Sequence, residues 1–111
     1  MSEELNKLGA QMQKIGKELP SVMGAFMKLD QECVKDGVLS NKIKELIAVG
    51  IAVAVKCNYC IRFHVAEAVK AGANRAEILE AAGVSIFMGG GPAVTFSAIV
   101  LLDELDKLEV K

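Results

Sequence analysis

Two cysteines and the single histidine of the chain lie close together in the sequence, as Cys57-x-x-Cys60-x-x-x-His64. Residues three or four positions apart share one face of a helix, so the two thiols and the imidazole would lie together. The reactive form of cysteine is the thiolate, which the N-terminus of a helix and a neighbouring histidine both favour at neutral pH. The spacing therefore indicates a dithiol that closes a disulfide over one helical turn and passes the oxidising equivalent on by thiol exchange.

Two other interpretations of the cysteines stay open at this point. Free cysteine is often buried as an apolar residue, so the pair could belong to the core. The third cysteine, Cys33, could join Cys57, Cys60 and His64 in a zinc site, within a non-enzymatic oligomeric module that binds metal or a partner. Structural zinc sites usually take two ligands from each of two short segments, whereas Cys33 stands alone, far upstream. We expect Cys33 to be a bystander on the second helix.

The apolar residues recur at helical spacing, and no segment alternates as a strand does. The sequence predicts an all-α fold, a compact bundle of about six helices with short connections. We expect Ser40 to cap the third helix, and Asn74 with Glu77 to form a capping box at the start of the fifth. The predicted boundaries are Pro20, the segment 37–40, a turn near Lys56, a break at 71–73 and a second break at 89–92.

The third helix is apolar nearly all round after Glu45, so we expect it to be central and buried. A turn near Lys56 would fold the third and fourth helices into a hairpin. At a rise of 1.5 Å per residue, Glu45 then lies about 15 Å back from the turn and His64 about 10 Å along the returning helix. A glutamate side chain could close that gap, directly or through a water. Glu45 could be a surface carboxylate at the edge of the third helix. Its place just before the apolar run favours burial near His64 instead, and buried carboxylates are rare without a role.

The chain is unusually apolar for its size. Its 111 residues fit one domain, residues 1–111, but 52% of them are hydrophobic and the mean hydropathy is +0.36. The uncharged run 46–55 is too short to cross a membrane, and the longer run 81–102 is broken by three glycines and a proline at 89–92. We therefore expect no membrane insertion, and we expect copies of the chain to bury the apolar excess in a homo-oligomer.

The charges exclude some partners and suggest a location. The net charge is -1 and no basic patch stands out, so a nucleic-acid partner is not expected. The acidic start, Met1-Ser2-Glu3-Glu4, does not resemble a signal peptide, and we expect a cytoplasmic protein. Thiols are kept reduced there, which favours a catalytic or metal-binding Cys-x-x-Cys over a structural disulfide. We interpret the charged segment 103–111 as a solvated helix end.

With the glutamate included, the pattern reads Glu45-x11-Cys57-x-x-Cys60-x-x-x-His64, followed by Gly-Gly-Gly-Pro-Ala at 89–93. This combination resembles the AhpD-like, or carboxymuconolactone decarboxylase (CMD), family over about residues 20–105, in the branch of Cys-x-x-Cys alkylhydroperoxidases. The resemblance implies an all-helical fold and a homo-oligomer, either a trimer or a hexamer. It also implies alkylhydroperoxidase or disulfide-reductase activity, and we expect no cofactor.

The resemblance further assigns roles to residues. Cys60 would be the nucleophile that attacks a small hydroperoxide or disulfide, and Cys57 would form the disulfide with it. Glu45 and His64 would form a proton relay, and a thiol compound of unknown identity would return the electrons. Lactone decarboxylation is not expected, because the decarboxylase branch generally lacks the cysteine pair. One departure is Tyr59, which stands where peroxidase members often carry histidine.

Overall fold

The computed structural model describes all 111 residues and contains only helices. The last three helical segments follow one another with right-handed helical backbone angles at each junction, so they form one continuous helix with a π-helical turn inside it. The predicted all-α fold of about six helices is confirmed. The bounds are α1 (Glu3–Glu18), α2 (Pro20–Val34), α3 (Asn41–Ala54), α4 (Asn58–Lys70), α5 (Arg75–Gly89), α6 (Gly91–Phe96), the π-helical turn (Ser97–Leu101) and α7 (Leu102–Lys107).

Helix starts follow the predicted capping residues. The Ser40 hydroxyl accepts a hydrogen bond from the backbone N–H of Ile43 at the start of α3. At the start of α5, the Asn74 side chain accepts from the backbone of Glu77, and the Glu77 carboxylate accepts from the backbone of Asn74. Each cap satisfies N–H groups that have no partner within the helix. Both predicted caps are therefore confirmed, and Pro20 begins α2 as expected.

The core lies where α3, α4, α5 and the C-terminal helix meet. Helix α3 packs against both α4 and α5, and it is central as predicted. Its burial is one-sided, however. Val49, Ala52 and Val53 are buried, whereas Ile47 and Ile51 on the opposite side are about half exposed. The expectation of burial nearly all round is wrong for the single chain, because α4 and α5 together leave one side of α3 uncovered.

Two exposed apolar surfaces hold the excess of hydrophobic residues. The first is a groove of about 400 Å³ between α3 and α5, whose walls include Ile47, Ile51 and Met88. The second is on α2, which has no buried residue and exposes more than half of both Val22 and Phe26. A single chain thus leaves uncovered the kind of surface that usually marks an interaction site. None of the helices combines the length and apolar character that crossing a membrane requires.

Candidate redox site

A tight turn brings α3 back along α4. Lys56 adopts a left-handed backbone conformation with φ of 60°, which reverses the chain within three residues of Ala54. The backbone N–H of Cys57 donates to the carbonyl of Ala52 across the turn, at 3.2 Å. Cys57 is then the N-cap residue of α4. The predicted hairpin near Lys56 is confirmed, and it puts the first cysteine at the entrance of a helix.

The two cysteines meet over the first turn of α4. The Cys57 sulfur accepts a hydrogen bond from the backbone N–H of Cys60 at 3.2 Å, and the two sulfur atoms lie at bonding distance. Their Cα atoms are 5.2 Å apart, within the range that a disulfide spans. Cys57 is partly buried and Cys60 is exposed. A thiolate at either position would be stabilised by the partial positive charge at the helix N-terminus.

A buried carboxylate holds the imidazole. Glu45 Oε1 lies 2.7 Å from His64 Nδ1, so the side chains touch directly. Glu45 is only 3% exposed, which confirms its expected burial, and His64 is partly buried with its ring edge-on to Phe63. An ionised carboxylate can only accept, so with Glu45 ionised the proton sits on Nδ1 and Nε2 is the free acceptor of the ring. The carboxylate thereby orients the His64 ring and, when ionised, selects its tautomer.

His64 lies one helical turn beyond Cys60. Residues four apart on a helix have Cβ atoms about 5–6 Å apart, so His64 and Cys60 share one face of α4. In the reduced chain, the Cys60 thiol, the His64 imidazole and the buried Glu45 carboxylate would follow one another along this face. Such a succession can remove a proton from the thiol and return it to a leaving group.

Cys33 does not belong to this site. It is an exposed free thiol on α2. The structure assembles no group of three or more His, Cys, Asp or Glu side chains able to hold a metal ion. In this structure Cys33 therefore lies apart from Cys57, Cys60 and His64, and the four side chains do not form one metal-binding set.

The sequence pattern that defines the carboxymuconolactone decarboxylase family matches residues 20–104 of the chain. This chain belongs to the carboxymuconolactone decarboxylase family. The resemblance that the cysteine, histidine and glutamate spacing indicated over about residues 20–105 is thus confirmed. The single pair of adjacent sulfur atoms is consistent with the Cys-x-x-Cys branch of the CMD family.

Relatives of this CMD protein support the same fold. It is 41% identical to a carboxymuconolactone decarboxylase family protein of Legionella pneumophila, with a TM-score of 0.87 over 92% of this chain and 90% of that one. It is 32% identical to a Thermotoga maritima family protein with a suggested part in the antioxidative response, with a TM-score of 0.67 over 78% of this chain and 91% of that one. An uncharacterized protein of Cupriavidus necator is 33% identical over 91% of this chain and 89% of its own length.

A buried ion cluster in this CMD protein was missed by sequence reasoning. Arg62 lies on α4 between Cys60 and His64, and its Nη1 donates to Asp103 Oδ2 at 2.8 Å and to Glu104 Oε1 at 2.9 Å. Glu104 is completely buried, so the interpretation of 103–111 as a solvated helix end is wrong at this residue. The partners are more than 40 positions apart, a separation at which spacing rules do not apply. The sequence did contain one indication of the cluster. Arg62 lies on the apolar face of a helix, where a buried arginine needs a carboxylate partner.

Charges around this cluster stabilise one another. Burial has the largest single effect and would lower the pKa of Arg62, but the hydrogen bonds to Glu104 and Asp103, together with the negative charges of Glu4 and Asp103, raise the pKa above its ordinary value. The hydrogen bond from Arg62 is also the main reason that the pKa of Asp103 lies below its usual range. Glu4 on α1 contributes from the other side, at 3.8 Å from Arg62 Nη2. The cluster therefore joins α1, α4 and α7 around one guanidinium.

Proposed function

We propose that this chain is a thiol–disulfide oxidoreductase of the alkylhydroperoxidase type, which reduces peroxides or disulfides in the cytoplasm. The observation that carries the proposal is the pair of adjacent sulfur atoms of Cys57 and Cys60, next to the buried Glu45–His64 hydrogen bond. A cytoplasmic location fits, because thiols stay reduced there and a dithiol can turn over.

In the first step, His64 Nε2 accepts the proton of the Cys60 thiol. The resulting thiolate attacks the terminal peroxide oxygen, so that an S–O bond forms as the O–O bond breaks. His64 then returns the proton to the departing alkoxide, which leaves as an alcohol. Cys60 becomes a sulfenic acid, two electrons having passed from sulfur to the peroxide. The exposure of Cys60 supports its assignment as the attacking residue.

In the second step, Cys57 resolves the sulfenic acid. Its sulfur attacks the Cys60 sulfur, an S–S bond forms, the S–O bond breaks, and the released hydroxide takes the Cys57 proton to leave as water. The closeness of the two sulfur atoms supports this assignment, because little movement is needed. For a disulfide substrate, Cys60 instead forms a mixed disulfide, which Cys57 breaks with release of a thiol.

A thiol donor completes the cycle. Two donor thiols are oxidised to a disulfide while the Cys57–Cys60 bond returns to two thiols. The sum is one hydroperoxide and two thiols giving one alcohol, one water and one disulfide. Glu45 and His64 act as the proton relay throughout, and Glu45 acts only through the imidazole that it orients.

The active form is proposed to be a homo-oligomer, a trimer or a hexamer. The exposed apolar surface on α2 and the groove between α3 and α5 support this part of the proposal. Burying apolar surface yields about 25 cal/mol per Å², so surfaces of this kind favour association. The groove includes Ala54 near the C-terminal end of α3, which puts one surface close to the turn that precedes Cys57.

The test is a thiol count before and after one equivalent of an organic hydroperoxide. We expect the reduced chain to lose two of its three thiols together, and peptide mapping to place the new disulfide between Cys57 and Cys60. Cys57→Ser and Cys60→Ser should abolish that disulfide, whereas the control Cys33→Ser should form it normally. Unchanged thiol counts with both a hydroperoxide and oxidised glutathione would contradict the proposal.

A further inference from the structure

Hydrogen bonds connect Asn58, the residue that follows Cys57, to the buried ion cluster. Asn58 is the first residue of α4 and lies between Cys57 and Cys60 in the sequence. Its Oδ1 accepts a hydrogen bond from Arg62 Nε at 2.9 Å. The same guanidinium is bound on its Nη1 side by Asp103 and Glu104. The residue inside the Cys-x-x-Cys segment is thus linked, through Arg62, to two carboxylates of the neighbouring helix α7.

Arg62 is a buried donor with hydrogen-bond partners on two sides. It is 6% exposed, and its planar guanidinium spans the Asn58 amide at one edge and two carboxylates at another. Because the donors of a guanidinium have fixed relative directions, the carboxylates also fix where Nε points. Glu104 in turn cannot move to solvent without leaving the core. The hydrogen bond to Asn58 therefore restrains a surface residue against a rigid interior.

We propose that Arg62 is a positioning residue for the dithiol, and that it acts through Asn58. This inference rests on the proposed redox function of Cys57 and Cys60. The first turn of a helix lacks backbone partners for its N–H groups and frays readily. Cys57 lies just before that turn and Cys60 within it, so fraying separates the two sulfurs. By holding Asn58, Arg62 keeps the turn in the conformation in which the sulfurs meet.

The consequence is a shift in the dithiol–disulfide equilibrium. In exchange with oxidised glutathione, one cysteine thiolate forms a mixed disulfide and releases one glutathione, and the second cysteine displaces the other. Two electrons pass from the protein dithiol to glutathione disulfide, and the two cysteine protons end on two glutathione thiols. Restraint of the first turn favours the second displacement, because the attacking sulfur is already placed. The structure thus assigns to Arg62 an effect on the reduction potential of the pair.

The most specific variant is Asn58→Ala, which leaves Arg62 and its carboxylates in place and removes only the hydrogen bond between Asn58 and Arg62. The matched control is Asn41→Ala, since Asn41 is the first residue of α3 and its amide also makes a hydrogen bond, to the carbonyl of Val34. All proteins carry Cys33→Ser so that only the pair reacts. The measurement is the fraction of disulfide across a series of glutathione redox buffers, with circular dichroism to verify folding.

We expect Asn58→Ala to shift the equilibrium constant about fivefold toward the dithiol, the factor that one hydrogen bond typically contributes. Asn41→Ala should leave it unchanged, and Asn58→Asp, which keeps an oxygen acceptor for Arg62 Nε, should restore it. An equal equilibrium in Asn58→Ala and Asn41→Ala, or no restoration by Asn58→Asp, would overturn the positioning role alone. Absence of any Cys57–Cys60 disulfide in the Cys33→Ser protein would instead overturn the redox function together with this inference.

Discussion

Glu45 and His64 are 19 residues apart in the chain, yet the carboxylate Oε1 lies 2.7 Å from the imidazole Nδ1. The contact exists because the chain reverses at Lys56 and lays α4 back along α3. Glu45 is buried and His64 faces the same side of α4 as Cys60. The buried carboxylate contacts the imidazole directly, and we expect any influence on Cys60 to pass through that ring. Two substitutions separate what the imidazole does from what the carboxylate does.

The first prediction concerns this relay. His64→Gln should slow oxidation of the dithiol by hydroperoxide about a hundredfold, as expected for loss of a general acid–base group. Glu45→Gln keeps the size but not the charge, and should slow it about tenfold through loss of one charge-assisted hydrogen bond. Stopped-flow measurement of thiol loss at a fixed pH gives both rates. The matched control is Glu67→Gln, which removes a carboxylate of α4 paired only with Lys70.

The three rates show whether the Glu45 carboxylate is needed for the imidazole to act. If Glu45→Gln reacts at the rate of the unaltered chain while His64→Gln is slow, the imidazole works without its carboxylate. If Glu67→Gln is slowed as much as Glu45→Gln, then general surface charge, and not the relay, sets the rate.

The second prediction concerns the buried ion cluster. Arg62→Met leaves the fully buried Glu104 without its cation, and removing one partner of a buried pair costs about 3–5 kcal/mol. The double variant Arg62→Met/Glu104→Leu replaces the pair by apolar side chains and should recover most of that loss. Urea unfolding at one fixed protein concentration gives the free energies of unfolding. Lys28→Met, which breaks an exposed pair with Glu32, is the control and should cost under about 1 kcal/mol.

A double variant no more stable than Arg62→Met would show that Glu104 does not depend on Arg62. In that case the guanidinium would not be the anchor on which the positioning of Asn58 relies.

The sequence was sufficient to place the helices and the main features of the site. The caps at Ser40 and Asn74 are local, because each side chain bonds a backbone group three residues away. The Glu45–His64 contact is longer in range, but a hairpin and a fixed rise per residue determine it once the turn is located. Both the caps and this contact are determined within one helix or between two helices that follow each other in the chain.

Other features depend on the whole bundle. Glu104 pairs with Arg62 only because α7 returns beside α4, and no periodic pattern encodes a contact between positions so far apart. The one-sided burial of α3 has a similar origin, since two neighbouring helices cover Val49 but not Ile47. The π-helical turn at Ser97–Leu101 has no composition that marks it in advance. Tertiary packing decides each of these.

The third prediction is a pH dependence of stability at the acidic end. The hydrogen bond from Arg62 lowers the pKa of Asp103 in the folded chain, so the unfolded chain binds more protons at this residue in that range. The stabilisation is therefore present above the ordinary aspartate pKa of about 4 and is lost as the pH falls through the lowered value. Its size should be below about 1 kcal/mol, because the Asp103 side chain is 39% exposed and screened by solvent.

Asp103→Asn should consequently flatten the fall in the free energy of unfolding between about pH 4 and pH 2. The control substitution is Asp30→Asn on α2, which removes a carboxylate outside the Arg62 cluster. Equal slopes in Asp103→Asn and the unaltered chain would show that the ion pair does not contribute to acid stability.

The fourth prediction concerns assembly. The exposed apolar surface on α2 and the groove between α3 and α5 are uncovered in the single chain, and we expect a second copy to cover them. Light scattering should give the mass of a trimer or a hexamer. Phe26→Glu and Ile47→Glu should raise the dissociation constant at least about a hundredfold, because each forces a carboxylate into the interface. Both positions are exposed in the single chain, so the variants should retain their helical circular dichroism.

Gln31→Glu, an exposed polar position on the same helix as Phe26, should assemble normally. A monomeric unaltered chain at every concentration would contradict the assembly, and full assembly of both variants would exclude these two surfaces as its interface.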